Sequence, residues 1–181
     1  MIGKFIFVSG LSGAGKSTLV GAALKSIDNL ETVVTCVTRP PRAGEENVAE
    51  YVFVDDADYE QLKAAAKNWD ETIYDGYKYG TDGAKYASDL QAGINIIVAV
   101  APDLAIIHDM ASRYDVQPIT VWIDTDATIA QNRISSDTKR ASRQETTTIK
   151  NEFNHIFTPA GSIQVDSDAF VKLVKTLLIT T

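Results

Sequence analysis

The residues best suited to chemistry cluster first at Gly10-Leu-Ser-Gly-Ala-Gly-Lys16-Ser17, a G-x-x-x-x-G-K-[ST] spacing. Glycines at these intervals let the backbone curl so that several N–H groups point inward at one phosphate. A helix opening at Lys16 adds the positive end of its dipole. Lys16 supplies a mobile point charge for the β- and γ-phosphates of a nucleotide, and the Ser17 hydroxyl is placed to ligate Mg²⁺. Ser12, Gly13, Ala14, Gly15, Lys16, Ser17 and Thr18 are therefore candidate triphosphate contacts, and Ser17 is also a candidate metal ligand. The motif follows an apolar run, Lys4 to Ser9, and opens an amphipathic stretch, which is the strand-to-helix context it requires.

A second group is Arg39-Pro40-Pro41-Arg42. Two prolines stiffen the loop, and two guanidiniums three residues apart can grip one phosphate dianion with forked hydrogen bonds. A solvated basic turn is the competing reading, but the position just after a strand in an acidic chain favours an anion. Tyr51 and Tyr79 read either as core aromatics or as hydroxyl donors. Asp70 beside Glu71 reads either as a solvated acidic turn or as a recognition carboxylate.

The elements that must hold these groups alternate between strand and helix. Apolar runs at Lys4–Ser9, Ile94–Ala101 and Pro118–Ile123 suit strands covered on both faces, as in a parallel sheet. Thr32–Val37 reads as a further strand and Tyr51–Val54 as a short one. Helical patterns cover Lys16–Ile27, Asp58–Lys67 with a cap at Asp56 or Asp58, Asp82–Ala92, Leu104–Tyr114, Ala127–Ile134, Thr146–Phe157 and Asp168–Ile179. Asp75-Gly76 between aromatics predicts a hairpin turn. The whole reads as one α/β domain with a parallel core sheet, interrupted by an insertion rich in short strands and aromatics.

Composition narrows the class. The chain has 181 residues, 45% apolar and 23% charged, with a net charge of −7. These values fit a globular domain and argue against general nucleic-acid or anionic-membrane binding. One cysteine, Cys36, and two histidines, His108 and His155, make neither a disulfide nor a zinc cluster. No apolar run approaches the ~18 residues of a membrane helix, and a cytoplasmic location is expected.

The chain resembles the guanylate kinase family in VSGLSGAGKSTL (Val8–Leu19), in VTRPPRAGEEN with the following EYVFV (Val37–Val54), and in YKYGT (Tyr77–Thr81). The resemblance implies a three-layer P-loop NTPase fold, with a core at about 1–34 and 94–181, a GMP-binding insertion at about 35–93 and a helical lid at about 133–150. It implies Mg²⁺- and ATP-dependent phosphoryl transfer to GMP or dGMP. Arg39 and Arg42 would hold the acceptor phosphate with Tyr51 and Tyr79. Thr35, Asp70, Gly80 and Thr81 would lie at the base, the carboxylate accepting from the two donors on guanine's edge. Lys16, Arg133 and Arg143 would neutralise the migrating phosphoryl group.

The sequence departs from the family pattern at four places. Val48 stands where the family usually has a turn glycine, so the loop after Glu46 is expected to differ. Asp70 is one methylene shorter than the family glutamate. Ala99 and Ala101 stand where the family places acidic residues, with Asp103 just beyond. The expected R-G-T after Arg133 is replaced by Ser135-Ser136-Asp137. These differences keep two other expectations in view: a kinase for another acceptor such as ribose 1,5-bisphosphate, and a binding module with little turnover.

Overall fold

The computed structural model describes residues 2–41, 45, 50–134 and 148–179. Its central strand is β1 (Phe5–Gly10), buried at every position. Phe5, Ile6, Phe7 and Val8 are fully covered because helices pack on both faces of the sheet. Each such side chain contributes about 1.5–3 kcal/mol by leaving water.

The turn after β1 leads into α1 (Lys16–Ser26), which buries Leu19, Val20 and Ala23. Strand β2 (Leu30–Thr32) joins the core sheet, and β3 (Thr35–Val37) joins a different one. The single strand expected over Thr32–Val37 is therefore two. Val33 is anchored in the core, and the Val34 N–H donates to the Tyr86 hydroxyl at 2.7 Å, so the chain changes sheets at this point.

Next come β4 (Tyr51–Phe53), α2 (Asp56–Ala65), β5 (Trp69–Tyr74) and β6 (Tyr77–Asp82). Asp55, and not Asp56 or Asp58, caps α2, accepting from the Asp58 N–H at 2.8 Å. Asp75 and Gly76 both have positive φ, 55° and 77°, forming the two-residue turn of the expected hairpin. Strands β3 to β6 make a four-stranded sheet of order β4-β3-β6-β5. Asp82 then caps α3 (Gly83–Gln91), which returns to the core by burying Tyr86 and Leu90 beside Phe5 and Ile96.

The core continues through β7 (Asn95–Ala99), α4 (Leu104–Arg113), β8 (Pro118–Ile123) and α5 (Ala127–Ile134). The sequence predicts a helix over Thr146–Phe157. Its described part is a 3₁₀ turn (Thr148–Glu152) followed by β9 (His155–Phe157). Phe153 packs on Trp122, and the Asn154 side chain accepts from the Thr120 N–H at 2.9 Å, which steers the chain onto the edge of β8. The closing helix α6 (Ile163–Ile179) begins five residues before the expected Asp168 and lays Phe170, Val174 and Leu177 against α1 and the sheet. The core sheet is parallel, of order β2-β7-β1-β8-β9.

Candidate active site

The loop after β1 lies at the carboxyl edge of the sheet, where open α/β folds place ligands. Gly13 has φ 83°, and a Cβ there would sit 2.2 Å from the Ala130 carbonyl oxygen, so only glycine lets α5 approach so closely. Gly15 is the N-cap of α1 in the left-handed conformation, with no side chain capping the first N–H groups. Those groups are available to an anion. Lys16 Nζ folds back over the loop and donates to the carbonyls of Gly10 at 2.7 Å and Leu11 at 3.0 Å. Thr125 Oγ1 donates to the Ala14 carbonyl at 2.9 Å, and Arg133 donates to the Gly13 carbonyl at 3.2 Å. Arg133 thus stands directly on the loop. Ser17 and Thr18 are exposed at the opening of α1, and Ser12 is half-buried within the loop.

Strand alternation organises the second group. Cross-strand partners share a face, and the register pairs Thr35 with Tyr51, Val37 with Phe53 and Tyr79, and Asp70 with Thr81. Thr35, Tyr51, Asp70, Tyr79 and Thr81 therefore occupy one face of the small sheet. Arg39 continues the parity of Val37 and joins them. Its Nε donates to the Tyr79 hydroxyl at 3.2 Å, and its guanidinium lies 5.2 Å and 5.3 Å from the centres of the Tyr51 and Phe53 rings. NH1 donates to Glu45 at 2.6 Å and to the Pro40 carbonyl at 3.1 Å. Arg39 is only 4% exposed. Burial works against its charge most strongly, but the hydrogen bonds to Glu45 and Tyr79 together outweigh it and hold the guanidinium above its usual range.

The opposite face carries α2. Glu71 points there, accepting from the Tyr59 hydroxyl at 3.0 Å and from Lys63 at 3.1 Å. Glu71 consequently does not share the face of Asp70. Gly80 also faces α2, where a Cβ would lie 2.2 Å from the Trp69 ring and 2.4 Å from the Tyr59 hydroxyl. Its side-chain position is thus turned away from Arg39 and Tyr79. Thr81 Oγ1 donates to the Val34 carbonyl at 2.7 Å, tying the small sheet to the segment that leaves the core. Arg42 and Arg143 lie outside the described residues.

Sequence reasoning missed four partner residues. Glu45 pairs with Arg39, and an acid six residues beyond the first arginine was its only trace. Phe53 shares the guanidinium with Tyr51, which the period-2 pattern of Tyr51–Phe53 could have indicated. Arg113 and Tyr114 meet Asp70 across the fold, with no trace in local spacing.

Ala99, the last residue of β7, pairs with Val8 of β1. Asp103 is used to cap α4, accepting from the Ala105 and Ile106 N–H groups at 3.0 Å and 3.2 Å. Asp124 pairs with Lys150 at 3.1 Å. Among the described residues no group of three or more acids, histidines or cysteines could hold a metal by itself. The exposed Ser17 hydroxyl fits a hard cation that takes its other ligands from phosphates and water, as Mg²⁺ does with a triphosphate.

A parallel sheet whose middle strand feeds a glycine-lysine loop, with a second four-stranded sheet inserted between its strands, defines a P-loop NTPase fold. A family model described as guanylate kinase matches residues 2–178, and the chain belongs to the guanylate kinase family. A guanylate kinase from Rubrobacter xylanophilus is 37% identical over 98 residues, which cover 54% of this chain and 51% of that protein. One from Thermobifida fusca is 36% identical over 97 residues, covering 54% and 50%. The chain spans about half the length of the curated relatives it matches. A crystal structure of guanylate kinase from Anaplasma phagocytophilum superposes with a TM-score of 0.71 at 17% identity, covering 99% of this chain and 88% of that one. That likeness concerns the fold. Among the described residues no helix is long and apolar enough to cross a membrane.

Proposed function

We propose that the protein transfers the γ-phosphoryl group of ATP to a nucleoside monophosphate, GMP or dGMP, giving the diphosphate. The observation that carries this reading is the single face of the small sheet. At one end it presents a buried, caged guanidinium, Arg39 with Tyr79, and at the other a carboxylate beside a hydroxyl, Asp70 with Thr81. The two ends are two strand residues apart, about 7 Å along the backbone, before side-chain reach is added. That span suits a molecule with a phosphate at one end and hydrogen-bond donors at the other. Guanine offers two donors on its edge and adenine does not, so adenine would leave the carboxylate unpaired.

On this reading the loop amides and Lys16 hold the donor phosphates, and Arg39, Tyr79 and Tyr51 orient the acceptor phosphate. Arg133 lies against the loop, where charge develops during transfer. The acceptor oxygen is already anionic and needs no strong base. Mg²⁺, held by the nucleotide and Ser17, would neutralise the β- and γ-phosphates. Arg42 and Arg143 complete the proposed arginine set, and residues 133–150 its lid. The single cysteine, which can form no internal disulfide, supports a cytoplasmic setting.

Asp103's role as a helix cap, together with Ala99 and Ala101, favours keeping a second acceptor class in the test, a phosphorylated sugar such as ribose 1,5-bisphosphate. The deciding experiment is a coupled assay of ADP release with Mg-ATP across GMP, dGMP, AMP, UMP, CMP and ribose 1,5-bisphosphate. Turnover with GMP or dGMP at least tenfold above the others is expected. ATP binding with no transfer to any acceptor would overturn the kinase reading and leave a binding module.

A further inference from the structure

Two consecutive residues at the end of α4 reach the acceptor face of the small sheet. Arg113 donates through NH1 to Asp70 Oδ1, and the Tyr114 hydroxyl donates to Asp70 Oδ2 at 2.6 Å. The second amino group of Arg113 is held by Asp109, one turn earlier on the same helix. The Tyr114 ring packs against Phe5, 5.8 Å between centres. Gly83 leaves the space for this meeting. A Cβ there would lie 2.5 Å from the Tyr114 hydroxyl and 2.9 Å from Asp70 Oδ2.

Each Asp70 oxygen therefore accepts one bond from the core. A carboxylate has about four acceptor positions, so about two remain. The side chain is 10% exposed, against 41% for Arg113. An ion pair whose cation is this exposed adds little to stability. What it does is fix direction: a carboxylate held through both oxygens cannot rotate away from its ligand, and the cost of ordering it is met before binding.

We propose that Arg113 and Tyr114 are positioning residues for acceptor selection, holding the Asp70 carboxylate where it accepts from the paired donors of a guanine edge. This rests on the acceptor reading given above. It also accounts for an aspartate at this position: the shorter side chain is set from behind by α4 and does not need the free reach of a longer one.

The test compares Arg113→Ala, Arg113→Lys and Tyr114→Phe with the parent protein, measuring KM for GMP, KM for ATP, kcat and GMP binding by calorimetry. Thermal melting checks the fold, and Tyr114→Phe keeps the ring on Phe5 while removing the donor. Arg113→Ala is expected to raise KM for GMP about tenfold, with KM for ATP and kcat changed less than about twofold. Arg113→Lys should restore part of the loss, and Tyr114→Phe should raise KM for GMP severalfold. Unchanged GMP affinity in all three variants, or equal losses for GMP and ATP, overturns the proposal. A parent protein that binds GMP without transferring phosphate fails the kinase reading alone, and calorimetry still decides the role of Arg113. A parent protein that does not bind GMP overturns both.

Discussion

Arg39 Nε and the Tyr79 hydroxyl lie 3.2 Å apart, on residues that the chain separates by forty positions. The bond joins the loop after β3 to the centre of β6 and aims a guanidinium across the face shared with Asp70. Tyr51 and Phe53 flank its carbon, so the charge is held by aromatic surface as well as by hydrogen bonds.

Arg39→Ala should weaken the acceptor far more than the donor. Loss of a charge-assisted contact costs about 2–4 kcal/mol in acceptor binding, or roughly 30- to 1,000-fold in Kd. Tyr79→Phe removes one supporting hydrogen bond and should cost about 0.5–1.5 kcal/mol. Calorimetric titration with GMP and separately with ATP checks both. An unchanged GMP affinity for Arg39→Ala removes this residue from the site.

Lys16→Ala should abolish transfer while the fold survives. Its ammonium donates to two carbonyls of its own loop, those of Gly10 and Leu11. Removing it should therefore lower kcat/KM by roughly 10²–10³ or more, the scale seen when one preorganised donor is lost. Circular dichroism and a melting curve should stay close to the parent's. Parental turnover in this variant would show that the loop is not the donor site.

Gly13→Ala tests the contact between the loop and α5. The residue has φ 83° and would press a methyl against the Ala130 carbonyl at 2.2 Å. Backbone strain of this kind costs about 1–3 kcal/mol. A fall in urea midpoint together with weaker ATP binding is expected. Parental stability with parental ATP affinity would mean that the loop and α5 do not meet this closely.

Stability should decline at alkaline pH through Tyr59. Burial pushes its phenol up from 10.0 to about 12; the Glu71 carboxylate adds to the rise, and the Trp69 indole N–H opposes it. The folded state thus holds the proton more tightly than the unfolded chain. This stabilisation is complete below pH 10 and disappears as pH rises towards 12, a change of roughly 2–3 kcal/mol. Urea midpoints between pH 8 and 12 measure it. Tyr59→Phe should be less stable at neutral pH, because Glu71 and Trp69 lose a partner, yet its midpoint should fall less steeply above pH 10. Parallel curves for the two proteins would rule out Tyr59 as the titrating group.

Much of the core was legible because it follows local rules. Lys4–Ser9 and Pro118–Ile123 are apolar at nearly every position, and a short β-rich run of this kind suits a strand covered on both faces. Asp75-Gly76 announced the hairpin through its need for positive φ. The readings that missed share a cause. Thr32–Val37 has uniform β-propensity, and only the Val34 contact with Tyr86 divides it between two sheets. Part of Thr146–Phe157 looked helical, and only the pairing of Asn154 with Thr120 and the packing of Phe153 on Trp122 make its end a strand.

The sequence by itself determined the phosphate loop and the resemblance of Arg39, Tyr51, Asp70 and Tyr79 to one family's acceptor site. A glycine-lysine spacing and a short stiff arginine loop are chemical statements complete within a few residues. Tertiary structure alone decided which of Asp70 and Glu71 shares a face with Tyr79, that Glu45 and Phe53 enclose Arg39, and that α4 supplies the groups holding Asp70. Those outcomes depend on strand register, where a shift of one residue exchanges the two faces, and on contacts between segments far apart in the chain.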